Sequence, residues 1–208
     1  MSDIGHKNGK LLLGDDLSAV RVAVIDVETT GLSACAGNRI IEIAIVNVSG
    51  DGSVRDEYHT MLNPRCDTGP NWVHGISNSM VENAPYFENV AGDLLAKLRD
   101  ADFICGHNVT FDLEFLGAEL SRVGVTLPPM ASLCTFRMYR KKSLRLSCRL
   151  AGIPQPIAPH TALADAHASA ALLKYLVERD PSILRTEKQS GISWPIVERR
   201  GTSCVVRH

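Results

Sequence analysis

A mixed α/β sheet covered by helices is the fold class that this 208-residue sequence predicts, and three features carry the prediction. Val22-Ala23-Val24-Ile25 and Ile40 to Val48 are continuous apolar runs, as expected of strands covered on both faces. Asp51-Gly52 is a hairpin turn from the second run into a third strand at about Val54 to Leu62. After these three strands the apolar pattern gives helices, a strand, a helix, a strand and helices again, the order of a mixed sheet flanked by helices.

Each element has its own signal. Residues 1 to 20 are polar, contain glycine and show no sustained period, so they read as a loose leader to a domain spanning 21 to 180. Asn63-Pro64 ends the first sheet segment, and a loop rich in Gly and Pro runs to Ser77, the expected N-cap of a short helix through Asn83. Phe87, Val90, Leu94, Leu95 and Leu98 recur near a 3.6-residue period and predict a helix over 86 to 98. Phe103-Ile104-Cys105 is a short buried strand. Leu113, Leu116, Leu120 and Val123 stripe a helix over Thr110 to Val123, and Leu133-Cys134-Thr135 makes a fifth strand. Leu163, Ala166, Ala170, Leu173 and Val177 share one face of the clearest helix, Ala162 to Val177, which Pro181 closes. Residues 181 to 208, rich in Ser, Thr and Arg around an isolated Trp194-Pro195, read as a tail or linker.

Composition narrows the class. With 45% hydrophobic and 22% charged residues the chain is expected to fold as an ordinary globular protein. Its first twenty residues hold no secretory apolar core and no membrane span, which places it in the cytoplasm with no membrane partner. Six cysteines show no C-x-x-C pair and none of the spacings of a zinc site, so they read as reduced and mostly buried thiols. A net charge of −1 argues against a protein that coats nucleic acid by bulk electrostatics. The distribution says more: Arg137, Arg140, Lys141, Lys142, Arg145 and Arg149 follow one another with no acid between, leaving 16 basic against 23 acidic residues elsewhere. That run is either a solvated helical face or a local phosphate-binding surface.

Three groups of residues carry chemistry. Side chains alternate along a strand, so Asp26 and Glu28 point the same way from the end of the first strand. Two carboxylates sharing a small space repel unless a cation neutralises them, and oxygen donors of this kind suit Mg²⁺ or Mn²⁺. His107-Asn108-Val109-Thr110-Phe111-Asp112 opens a helix after a short strand, with Asp112 in the first turn, where helix capping alone would also favour an acid. His160 precedes the last long helix and Asp165 lies about one turn inside it, among Ala162, Leu163, Ala164 and Ala166. An acid beside so apolar a face needs a partner.

As a set, these groups resemble the three exonuclease motifs of the DnaQ-like superfamily, in its histidine-containing DEDDh branch that includes bacterial polymerase III proofreading subunits. The resemblance spans about residues 20 to 180. It rests on Asp26-Val27-Glu28-Thr29-Thr30-Gly31, Ile40-Ile41-Glu42-Ile43-Ala44, His74-Gly75-Ile76, Gly106 to Asp112, and His160 to Ala166. It implies a ribonuclease H-like five-stranded sheet and hydrolysis of a nucleic acid from its 3′ end. It further implies two divalent ions, Mg²⁺ or Mn²⁺, held by Asp26, Glu28, Asp112 and Asp165, with His160 as general base. Thr29, Thr30, Gly31, His74, Asn108 and Phe111 would surround the terminal nucleotide, and Arg137, Arg140, Lys141, Lys142 and Arg145 would meet the strand's phosphates. His74 and Phe111 read equally well as a structural histidine and a core aromatic.

Single-stranded DNA is the favoured substrate, with proofreading or repair as the role and a DNA polymerase or sliding clamp as partner. Three other readings stay open. An exoribonuclease would share the same acids, since the choice of sugar depends on contacts at the 2′ hydroxyl. An inactive docking module would be expected to lack one of the acids or His160, and all are present. An endonuclease of the wider class shares the acids but not a histidine five residues before the last of them. Gln189-Ser190-Gly191-Ile192-Ser193-Trp194 loosely matches a clamp-binding peptide.

Overall fold

The computed structural model describes residues 17–127, 130–154, 161–184, 196–200 and 203–207, the last two stretches as backbone. Its sheet has five strands in the order β3-β2-β1-β4-β5: β1 is Arg21–Thr29, β2 Ile40–Ser49, β3 Val54–Met61, β4 Phe103–Gly106 and β5 Ala131–Cys134. β1, β2 and β3 form an antiparallel meander, whereas β4 and β5 join β1 in parallel. This is the mixed five-stranded sheet that the sequence predicts. The order explains the composition of the strands. β1 and β2 lie inside the sheet with both faces covered and are almost wholly buried, while the edge strand β3, Val-Arg-Asp-Glu-Tyr-His-Thr-Met, is largely exposed.

Alternation along β1 sorts its side chains onto two cores. Ala23, Ile25 and Val27 face α3 (Phe87–Leu98) and α4 (Val109–Arg122), where Phe87, Leu94, Leu98, Leu113, Leu116 and Leu120 bury against them. Val22 and Val24 face the other way, with Ala44, Val46 and Val48 of β2, onto α7 (Ala162–Arg179). Ala162, Ala166, Ala170, Leu173 and Val177 form the apolar stripe of α7, and its small first half lets the helix approach the sheet closely. Burying side chains such as Leu173 and Val177 stabilises the fold by roughly 2 kcal/mol each. Asp26 and Glu28 continue the even-numbered face of β1, so they emerge on the α7 side where the strand outruns that core.

The chain differs from the sequence reading in its short elements. The single-turn helices α1 (Asn71–His74) and α5 (Thr135–Met138), and the two-turn α6 (Leu144–Leu150), are too brief to build a 3.6-residue period, whereas α2 (Asn78–Val81) is the short helix expected after Ser77. The fifth strand lies at Ala131–Cys134, and Thr135 already begins α5. Within the segment read as a tail, β6 (Ile196–Arg200) and β7 (Ser203–Arg207) pair as an antiparallel hairpin. No helix among the described residues is long and apolar enough to cross a membrane.

Candidate active site

β1 ends at the point where its parallel neighbour stops. β4 pairs with β1 at Val22, Ala23 and Val24 only, so beyond them the β4-side edge of β1 is open. Asp112, in the first turn of α4, fills that opening: its Oδ1 accepts the Val27 N–H at 3.1 Å. Gly106 suits this close approach, because a Cβ there would sit tightly, 3.1 Å from the Ile25 carbonyl oxygen and 3.3 Å from Asp112 Oδ2. Asn108, whose left-handed backbone (φ 76°) turns the chain from β4 into the helix, accepts the Phe111 N–H on its carbonyl. The motif thus folds as a tight strand-to-helix turn that presents one carboxylate to β1.

From the opposite side of the sheet comes Asp165. Thr161 caps α7 by accepting the Ala164 N–H on its hydroxyl, and Asp165 follows one turn in. Asp26, Glu28 and Asp165 each offer a carboxylate oxygen, and these atoms lie within 4.8 Å of one another. Asp112 adjoins them closely enough to raise the pKa of Asp26. Two elements on one face and one on the other therefore deliver the four acids that the sequence singles out to a single spot.

The electrostatics of the group is one-sided. Burial, then Asp112, Asp165, Glu28 and Glu42, hold Asp26 well above the ordinary carboxylate range. Burial, then Glu42 and Asp165, push Glu28 up to about 8. For Asp112 burial outweighs the two backbone N–H groups that favour its charged form, and its pKa also rises. Like charges this close stay ionised together only beside a cation. An all-oxygen donor set of this size fits a hard divalent ion.

The surrounding residues divide into those the structure brings to the acids and those with other work. Thr29, Thr30 and Gly31 continue β1 into a turn that is locked internally: Thr29 Oγ1 donates to the Gly31 carbonyl at 2.7 Å, and the Thr30 N–H and hydroxyl oxygen bind the Arg39 backbone. A Cβ at Gly31 would meet the Asn38 side chain at 2.7 Å. His74 is buried, and its Nδ1 accepts the Ile76 N–H at 3.1 Å, which leaves the proton on Nε2; that atom is buried with no hydrogen-bond partner among the described residues. Phe111 is half-buried against Phe115, with ring centroids 4.8 Å apart, and so is part of the core margin. Arg137, Arg140, Lys141, Arg145 and Arg149 are exposed, and Lys142 is half-buried. Arg140 and Lys141 adopt left-handed backbone geometry, and the His107 ring ties their loop down at the Lys142 carbonyl, 2.8 Å away. His160, and the peptide Gln189 to Trp194, lie outside the described residues.

Several residues around the site are given no role of their own by the sequence. Glu42, 2% exposed, stands opposite Glu28 in the β1–β2 register. The signal was available, since an acid flanked by Ile41 and Ile43 in a buried strand raises the same question as Asp165. Glu119, 1% exposed, accepts from Arg39 through both carboxylate oxygens, at 2.7 and 2.9 Å, and fastens the start of β2 to α4. Leu32 and Trp72 are 89% and 85% exposed on segments that touch, because Gly69 packs against the Thr30 carbonyl.

Comparison with known proteins agrees with this geometry. A family model described as RNase_T, exonuclease, matches residues 23–173. A Mycobacterium tuberculosis protein named as a bifunctional exonuclease/endonuclease is 33% identical over 196 residues, covering 86% of this chain and 30% of that protein. The Bacillus subtilis 3′-5′ exonuclease DinG is 39% identical over 123 residues (58% of this chain, 13% of that protein), and Rickettsia typhi DNA polymerase III subunit epsilon is 36% identical over 107 (50% and 46%). The chain thus spans less than half the length of each. Among solved structures, Exonuclease X in complex with 5′ overhanging duplex DNA superposes with a TM-score of 0.62 at 24% identity, covering 81% of this chain and 99% of that one. Escherichia coli Exonuclease I with a dA16 oligonucleotide gives 0.66 at 17% identity, covering 79% and 42%. These two share the fold. With the family match running from near the start of β1 into the second half of α7, the chain belongs to the RNase_T family of exonucleases.

Proposed function

We propose that this protein is a 3′-5′ exonuclease of the DEDDh type that hydrolyses the terminal phosphodiester of single-stranded DNA and releases nucleoside 5′-monophosphates. The convergence of Asp26, Glu28 and Asp165, with Asp112 beside them, is the observation that carries this reading. These four acids would hold two divalent ions, Mg²⁺ or Mn²⁺. When bound, such ions supply a polarised attacking water and charge stabilisation for the leaving 3′ oxygen.

The chain's own groups do the rest. His160, five residues before Asp165, takes the attacking water's proton and must be neutral to do so, so turnover rises with pH through its titration. The locked turn at Thr29, Thr30 and Gly31 presents backbone to the terminal nucleotide. The unpartnered Nε2–H of His74 is a donor for it, and Asn108 and Phe111 border the same space. The exposed cations from Arg137 to Arg149 receive phosphates of the incoming strand without reading its bases. The polymerase III epsilon relatives support a proofreading or repair role, with a DNA polymerase or sliding clamp as partner.

Digestion of matched 5′-labelled DNA and RNA oligonucleotides with Mg²⁺, Mn²⁺ or chelator tests the reading, with Asp26→Ala as control for contaminating nucleases. A metal-dependent ladder shortening from the 3′ end, faster on DNA and absent in the control, is expected. Faster cutting of RNA would make it an exoribonuclease; no ladder with binding retained would make it a docking module. His160→Ala should lower kcat by roughly 100-fold while Mn²⁺ affinity stays near wild type. Turnover within a fewfold of wild type would remove His160 from the mechanism.

A further inference from the structure

Glu42 lies beside the candidate ligands, yet neither the ligand set nor the substrate-binding residues give it a role. Its placement is specific. It lies on β2 directly across from Glu28, on the face covered by α7. One carboxylate oxygen, Oε2, accepts the backbone N–H of Ala162 at 3.0 Å, and the other, Oε1, lies 2.6 Å from His59 Nε2 on β3. Ala162 is the first residue of α7, so its N–H is one of the four that no helical carbonyl can accept. The Thr161 hydroxyl serves Ala164, and Glu42 serves Ala162. A full negative charge at this end of the helix also suits the helix dipole.

That bond links the two halves of the metal-ligand set. Asp165 is three residues beyond Ala162, almost one turn along the same helix, and its position relative to Asp26 and Glu28 follows from how the first turn of α7 sits on the sheet. The apolar stripe below holds the helix down through contacts that have little directionality. A hydrogen bond from a strand residue in fixed register supplies that directionality. One and a half turns later, His167 Nε2 stands 2.9 Å from Glu57 Oε2 of β3, a second tie from the same helix to the same edge.

We propose that Glu42 is a positioning residue: clamped by His59, it docks the first turn of α7 on β2 and so sets Asp165 against Asp26 and Glu28. The proposal rests on the metal-dependent reading of the site given above. What matters at position 42 is reach more than charge. A carboxylate is retained here beside two ligand acids, where its charge is unfavourable, because its two oxygens span from His59 to the helix.

Two substitutions separate reach from charge. Glu42→Gln keeps the length, an oxygen for Ala162 and an amide for His59, but loses the charge. Glu42→Asp keeps the charge and falls one methylene short. Mn²⁺ binding to the full chain, followed by electron paramagnetic resonance, and kcat and KM on the oligonucleotide are measured with the melting temperature of each variant. The expected result is that Asp weakens Mn²⁺ binding and lowers kcat by roughly 10- to 100-fold, the usual scale for groups that orient metal ligands, with KM unchanged. Gln should stay within about threefold of wild type in both. Gln as damaging as Asp, or Asp indistinguishable from wild type, overturns the proposal. If the wild type does not hydrolyse nucleic acid, the exonuclease reading fails, and the Mn²⁺ measurement still decides the role of Glu42.

Discussion

Buried Glu119 and the half-buried pair Asp26 and Glu28 lie at opposite ends of the Thr30 to Arg39 loop, and they have opposite surroundings. Glu119 is enclosed by cations and donors: Arg39 grips both of its oxygens, Arg122 stands 3.2 Å away, and the Ile40 N–H points at it from 3.3 Å. Arg39 in turn is held further into its charged state, chiefly by the hydrogen bond to Glu119. Asp26 and Glu28 are enclosed by burial and by other acids, and every influence on them acts upward. Satisfaction by the chain's own groups marks an acid that holds the fold together. Crowding with like charge marks an acid whose counter-ion is to come from solution.

The comparison breaks most sharply at Asp26. Asp26→Asn should lower metal-dependent hydrolysis by roughly 1000-fold or more, several kcal/mol of barrier, while raising the melting temperature of the metal-free chain at pH 8 because a buried repulsion is gone. A variant that melts lower than wild type without metal would show that the repulsion had been relieved some other way. Glu119→Gln is the mirror image. It leaves Arg39 and Arg122 short of an anion and should destabilise the fold by about 3 kcal/mol, read by chemical denaturation, with Mn²⁺ affinity unchanged. A stability equal to wild type would dissolve the distinction between the two groups.

Acidity sharpens the contrast next. A carboxyl whose folded pKa is raised stabilises the fold below its ordinary value near 4.5, and that contribution is lost as pH rises through about 8 for Glu28. Asp26 and Asp112 act in the same direction. The metal-free chain should therefore lose several °C in melting temperature between pH 7 and pH 9, and saturating Mn²⁺ or Mg²⁺ should flatten the slope. A flat metal-free profile would mean that the acids are not crowded in solution. The smallest effect belongs to the exposed pairs. Lys97, 2.9 Å from Asp56 on the surface, should cost less than about 1 kcal/mol on substitution by Ala, since water already screens it.

What the sequence shows and what it hides follow the same division. The two central strands are legible because both faces are buried, and α7 because its stripe runs unbroken from Ala162 to Val177. Asp26 and Glu28 are legible because a two-residue period on a strand is local information. The short helices α1, α5 and α6 are not, since one or two turns are too few to show a period. Glu119 and Glu42 are hidden for a different reason: each is defined by partners about 80 and 120 residues away. No local pattern tells an acid that will meet Arg39 from one that will meet a helix end. The resemblance to the DnaQ-like motifs supplies the convergence of Asp112 and Asp165 as an expectation, and the fold supplies its means, the open edge at Val27 and the cap at Ala162.

The 120-residue span closed by Glu42 and Ala162 also bears on when the four acids come together. During synthesis the meander of β1, β2 and β3 emerges first, carrying two of the four acids, and α4 brings the third. The last arrives only with α7, after all five strands of the sheet have been made. Contacts of such long range form late in folding as well, because the intervening chain must be ordered before they stabilise anything. An unfinished or cut chain that stops short of α7 therefore lacks Asp165, and on the proposed metal-dependent reading it would not cleave nucleic acid.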